Sequence, residues 1–389
     1  FARAAMEKNV TSARPGYRTV FGLAFAVAFL ADLLLFSPSP MVHVLMTEMH
    51  LSHAQFGLLF SAAIVSLMCA RIPLGLVADR RGYLVVLRVA LVVSALAAGS
   101  RALASGFEGL LVSQFVLGLG LAALMPCLSL MVKAWASARP GLGTGVYFSG
   151  FAVGSVVALA LTPQLLEVMS WRQVLLLYSA LPLVVCLATF SLGARGGAVA
   201  SSIRLRDVRL VLRERVVWVL LLLMAGSMGC YDTLASWMPR VLEMKGLETG
   251  LASLMPVGFF VAGPLIGLAL DRFPRRGVLV ALLGVLAAAS IALLTTPSLP
   301  VLLLALFAVG FVLSGVCVTS LTIPVERPRL SPYAGTVVGF VTSASNVGPL
   351  VMPVVFGHLI DLTGYYSASV FMVAILGGVI FVGCSRFMR

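Results

Sequence analysis

The sequence predicts an all-α integral membrane protein of twelve transmembrane helices, arranged as two six-helix halves. Three observations carry this. Of 389 residues, 60% are hydrophobic and only 11% charged, with a mean hydropathy of +1.08; a soluble domain carries about 25% charged residues. Apolar stretches of about 20 residues, each enough to cross about 30 Å of hydrocarbon, recur along the whole length. A short polar motif that ends the second stretch returns at the end of the eighth.

The spans fall at 19–47, 55–78, 83–104, 108–134, 142–166, 172–192, 215–240, 248–270, 276–296, 299–323, 333–359 and 365–385. This gives a tail at 1–18, an N-terminal half at 19–192, a basic linker at 193–214 and a C-terminal half at 215–389. The linker is the largest polar interruption, and it divides the spans six and six. The five residues before Met6 are left outside the fold.

A net charge of +13 would suit nucleic acid if it were gathered on one surface, but its distribution is topological. With the N-terminus in the cytoplasm, the tail, the pair Arg80 and Arg81, the linker arginines from Arg195 to Arg215, and Arg272, Arg275 and Arg276 all lie on the cytoplasmic side. Arg101, Arg172, Arg240 and Lys245 lie on the other side, and Arg71 falls within a span. This is the positive-inside asymmetry. It places both termini in the cytoplasm, with the chain in a bacterial inner (plasma) membrane. The expected partners are the lipid bilayer and a small-molecule substrate, not nucleic acid, and the expected state is a monomer.

The six cysteines sit in or at the ends of spans without a C-x-x-C pair, so neither a disulfide framework nor a zinc site is indicated. No phosphate-binding G-x-x-x-x-G-K-[ST] loop occurs. No clustered His/Glu set or nucleophile–base pair is found either, so no enzyme, cofactor or metal is expected.

The repeated motif is Gly75-Leu-Val-Ala-Asp79-Arg80-Arg81-Gly82, echoed by Gly267-Leu-Ala-Leu-Asp271-Arg272. Each copy ends the second helix of a half on the cytoplasmic side, and repeated halves are a common build for secondary transporters. With twelve spans and a central basic loop, the motif resembles that of the major facilitator superfamily, and the resemblance covers residues 18 to 387. It implies the major facilitator fold and a cytoplasmic gate formed by Gly75, Asp79, Arg80 and Gly82, with Gly267, Asp271 and Arg272 as the second copy. It also implies a secondary active transporter working by alternating access.

Arg71-Ile-Pro-Leu-Gly75 is similar to the second helix of nitrate/nitrite porters, where an arginine at this position binds the anion. Gly335-Thr-Val-Val-Gly339 followed by Ser345-Asn346-Val-Gly-Pro349 is similar to their eleventh-helix signature. The chain departs from them twice: the residue matching Arg71 in the other half is Gly263, and the fifth-helix signature lacks its asparagine. The expected solute is therefore a small anion, either an inorganic oxyanion or a small organic acid, moved by proton symport or by exchange. Drug/proton antiporters fit less well, since Gln114 stands where they carry an arginine.

Read as residues, Arg71 is the sharpest signal. A guanidinium at that depth must face protein or a water-filled cavity, and its fork of donors matches carboxylates and planar oxyanions. Pairing with Asp32 and snorkelling to the headgroups are the plainer readings. Asp32 in the first span and Asp232 in the seventh both lie near the bilayer centre. They can carry a proton, bind a cation, or serve only as structural partners. Tyr147, Tyr231, Ser345 and Asn346 complete the candidate substrate-binding set, with packing as the alternative. Two other functions stay open: a porter for a cationic solute or metal chelate built on Asp32 and Asp232, and a membrane sensor that binds a ligand without transport.

Overall fold

The computed structural model describes residues 17–135, 140–192, 212–272, 275–327, 329–330 and 334–388. Most of the predicted linker, 193–211, lies outside them. Among the described residues eleven helices are long and apolar enough to cross a membrane, and a shorter apolar stretch, Thr249–Gly263, runs into the twelfth.

Nine of the twelve spans are single helices. They are α3 (His53–Arg81), α4 (Tyr83–Leu103), α7 (Pro140–Leu166), α8 (Trp171–Thr189), α9 (Arg215–Met244), α10 (Leu254–Arg272), α11 (Arg276–Leu293), α12 (Leu299–Glu326) and α15 (Tyr366–Ser385). The other three are broken. The first runs as α1 (Tyr17–Phe36), a 3₁₀ turn at Ser39–Met41, then α2 (Val42–Met49). Pro38 and Pro40 have no N–H to continue the ladder, which ends α1. The fourth span divides into α5 (Phe107–Ala122) and α6 (Leu124–Trp135), and the eleventh into α13 (Ala334–Ala344) and α14 (Val347–Thr363).

Small residues weld the helices into pairs, and the same pairs occur in both halves. A β-carbon at Gly150 or Gly154 of α7 would lie 2.5 or 2.2 Å from the carbonyl oxygens of Phe25 and Phe29 in α1. The matching seam joins α9 to α14, where Gly348 would meet the Ala225 carbonyl at 2.0 Å. A β-carbon at Gly118 of α5 would lie 2.1 Å from the Ala63 carbonyl oxygen of α3, and one at Gly310 of α12 would lie 1.8 Å from that of Met255 in α10. In an apolar solvent no hydrophobic force drives helices together, so close backbone approach is what holds them. The fold is thus the expected all-α membrane architecture of two similar halves.

Arg101 lies in the last turn of α4, inside the predicted span 83–104, yet it is 1% exposed and among the largest fully buried side chains of the described residues.

Candidate functional site

The halves meet through several bonds. Near one end of the molecule, Asp361 of α14 accepts from the backbone of His53 and Ala54 in α3. Arg240 of α9 donates to His43 Nδ1 of α2 at 2.8 Å. Further down, Ser61 Oγ of α3 donates to the Leu350 carbonyl of α14 at 2.6 Å. Deeper still, Tyr231 of α9 comes close to Ser155 of α7, whose hydroxyl donates to carbonyls of its own helix.

Around Tyr231 the predicted acids come together. Asp32 projects from α1 and Asp232 from α9, one from each half, both half-buried. They are close enough for the charge of Asp232 to act on Asp32, and the Tyr231 ring lies within the field of both. Phe29 and Phe25, one and two turns before Asp32, share its helix face. The Tyr231 ring stands 4.7 Å from that of Phe259 in α10. Tyr147 is buried, stacked on Phe148 at 5.1 Å and edge-on to Phe151 at 6.3 Å.

Arg71 stands apart from the acids. It is half-buried in α3, its Nε is closed off from solvent, and neither a hydrogen bond nor an ion pair joins it to any described residue. The expected pairing with Asp32 is therefore not made. A guanidinium left without an acceptor at this depth costs about 2.5–3.5 kcal/mol on an insertion scale, and an anionic ligand would relieve that cost.

Ser345 and Asn346 form the break between α13 and α14. Asn346 Nδ2 donates to the carbonyls of Thr342 at 2.9 Å and Ser343 at 3.1 Å, and Ser345 Oγ donates to Thr342 at 3.3 Å. Both side chains thus finish the ladder of their own helix, and sequence spacing alone does not show this use.

In the gating motif, Gly82 has a φ of +95°, a conformation that favours glycine. It forms the one-residue turn between α3 and α4. A β-carbon at Gly75 would lie 3.5 Å from the Pro126 side chain of α6, and the charge of Asp79 reaches Cys127 of that helix. Neither Asp79 nor Arg80 is in an ion pair among the described residues. In the second copy, Gly267, Asp271 and Arg272 run in α10, but their side chains lie outside the described residues.

A separate groove of about 390 Å³ opens sideways between α3, α5 and α14, lined by Leu58, Ser61, Val65, Phe115, Leu350 and Val354. It carries no charge, so it is unrelated to the acids and Arg71.

Comparison with known proteins gives a consistent result. A family model described as Major Facilitator Superfamily matches residues 24–332 and 251–388. A nitrite extrusion protein of Bacillus subtilis (strain 168) is 22% identical over 337 residues, covering 85% of this chain and 84% of the relative. A hexuronate transporter of the same organism is 24% identical over 377 residues, covering 88% and 87%. A crystal structure of a bacterial homologue of the human lysosomal transporter Spinster, inward-facing and unoccupied, superposes with a TM-score of 0.74 at 17% identity over 95% of each chain.

Proposed function

The chain belongs to the major facilitator superfamily and is a membrane transporter. From that premise we propose that it carries a small anionic solute by alternating access between its halves, 19–192 and 215–389, joined by 193–214. Both termini then face the cytoplasm and the chain works as a monomer.

The observation that carries the reading is Arg71, a deep guanidinium whose Nε is buried and which no described side chain or carbonyl satisfies. The relatives add weight: by their names one exports nitrite and another carries hexuronate, an inorganic and an organic anion. Tyr147, Tyr231, Ser345 and Asn346 complete the proposed lining. Asp32 and Asp232, one from each half and within each other's field, suit a site that takes up a proton or another cation as the solute moves. The same pair supports a second reading, a cationic solute.

On this topology the end carrying Arg80 is cytoplasmic. The motif of Gly75, Asp79, Arg80 and Gly82, with Gly267, Asp271 and Arg272, latches that end when the opposite one opens.

The test is uptake into vesicles reconstituted with the purified chain, using nitrite and hexuronates as the first solutes, competed by small anions and by cations. Arg71→Ala and Arg71→Lys should each abolish anion uptake, since lysine lacks the fork. Normal transport by both variants removes the anchor role.

A further inference from the structure

The first turn of α3 is finished by the opposite half. An α-helix begins with four N–H groups that have no acceptor within the helix. In α3, Ser52 N–H donates to Gln55 Oε1 at 2.9 Å, and Gln55 N–H to Ser52 Oγ at 3.1 Å, a capping box. The two amides between them, His53 and Ala54, donate to Oδ1 and Oδ2 of Asp361 at 3.0 and 2.8 Å. Asp361 Oδ1 also lies 2.7 Å from His53 Nδ1. A carboxylate from α14 thus satisfies half the free amides of α3 and meets the positive end of its dipole.

Around it the seam combines ring packing with close backbone approach: Trp237 of α9 lies against His53 and Phe56 of α3, with ring centroids 5.8 and 5.2 Å away. A β-carbon at Gly57 would lie 2.5 Å from the Pro353 carbonyl oxygen, and one at Gly357 would lie 2.3 Å from that of His53. Both partners of the bond are partly reached by solvent, at 20% for His53 and 27% for Asp361. Water is therefore at hand to replace each bond when the seam parts.

We propose that Asp361 is a gating residue of the transport cycle. It holds this end of the molecule shut by capping α3 from the other half, and its detachment opens that end. The inference rests on alternating access but not on the nature of the solute.

The experiment uses the full chain in nanodiscs with Ser61→Cys as reporter. Ser61 is 3% exposed and sits across the seam from Leu350. Its labelling by a polar maleimide is measured against the same chain without the reporter. Asp361→Asn, which puts an NH₂ group where one amide needs an acceptor, should raise the labelling rate roughly tenfold by shifting the closed–open equilibrium. His53→Pro should raise it as well, because proline fits the first helical position while removing two of the three bonds. That variant decides the matter if Asp361→Asn does not fold. Ser52→Ala, which breaks only the Gln55 N–H bond to Ser52 Oγ within the same half, should change labelling less than about twofold. Parent-like labelling in both Asp361→Asn and His53→Pro overturns the proposal, as does an equal rise in Ser52→Ala. Arg71 variants that stop uptake but leave this labelling unchanged test the solute reading alone.

Discussion

Arg101 of α4 donates from Nη1 to the carbonyl of Leu34 in α1 at 2.9 Å, and that carbonyl is the one Pro38 leaves without a helical donor. In an unbroken helix the N–H of residue 38 would bond to it; proline has none. Ser37 Oγ shares the same oxygen at 3.1 Å. The cation also sits at the negative end of the α1 dipole, which offsets part of the cost of its burial.

Removing Arg101 should therefore matter chiefly because Pro38 is there. Arg101→Leu is expected to lower stability by about 2 kcal/mol, the cost of an acceptor losing a charged donor. In a Pro38→Ala background, where the residue 38 amide resumes the bond, the cost should shrink by about 1 kcal/mol. Thermal unfolding of the four proteins in one detergent closes the cycle. An equal loss in both backgrounds would show that Arg101 acts elsewhere.

Gly118→Ala should destabilise by at least about 1–3 kcal/mol, because the added carbon would lie 2.1 Å from both the Ala63 carbonyl oxygen and Ser66 Oγ. The two helices would have to part. Gly145→Ala, on the exposed side of α7 with nothing within 4 Å, should unfold no earlier than the parent and gain up to about 1 kcal/mol in helix propensity.

Gly263 is the position that would hold a second arginine, and among the described residues nothing lies within 4 Å of its β-carbon direction. Gly263→Arg is expected to lower the half-saturation concentration for a small inorganic oxyanion roughly tenfold, as a further charged hydrogen bond would. Gly263→Ala should behave as the parent does. An unchanged affinity in Gly263→Arg would place this residue away from the solute.

Asp32→Asn and Asp232→Asn should each reduce pH-gradient-driven uptake at least about tenfold, and the double variant should be no worse than the poorer single one. Groups that act as a unit lose their effect once. Losses that multiply would instead mean two separate sites.

The pattern of apolar stretches was enough to read the number of spans and the division into halves, because lipid leaves a spanning backbone little choice but helix. The breaks were harder to place. Prolines stand just beyond each one, at Pro38, Pro126 and Pro349, but many other prolines lie inside unbroken helices, as Pro73 and Pro239 do. Arg101 reads as an external charge by distance from a span end, whereas its burial depends on a contact with α1 that hydropathy does not encode. Asp32 and Asp232 are visible as acids at bilayer depth, and the structure adds that they approach each other across the halves. Asp361 carries no local signal at all: its partner is 308 residues away, and an acid at a helix end looks like an ordinary solvated group.

The seam at Gly57 and Gly357 bears on how fast the transporter can switch. Side chains that interlock must find new rotamers before two surfaces part, and each search adds to the barrier. Here main chain lies against main chain at both glycines, and the Trp237 ring packs across the seam on His53 and Phe56. Parting the halves means wetting a few carbonyls, releasing a few polar bonds and unpacking that ring. Turnover at this end of the molecule is then governed by how quickly those contacts break, and bulky residues introduced at either glycine would slow the cycle even where the fold tolerates them.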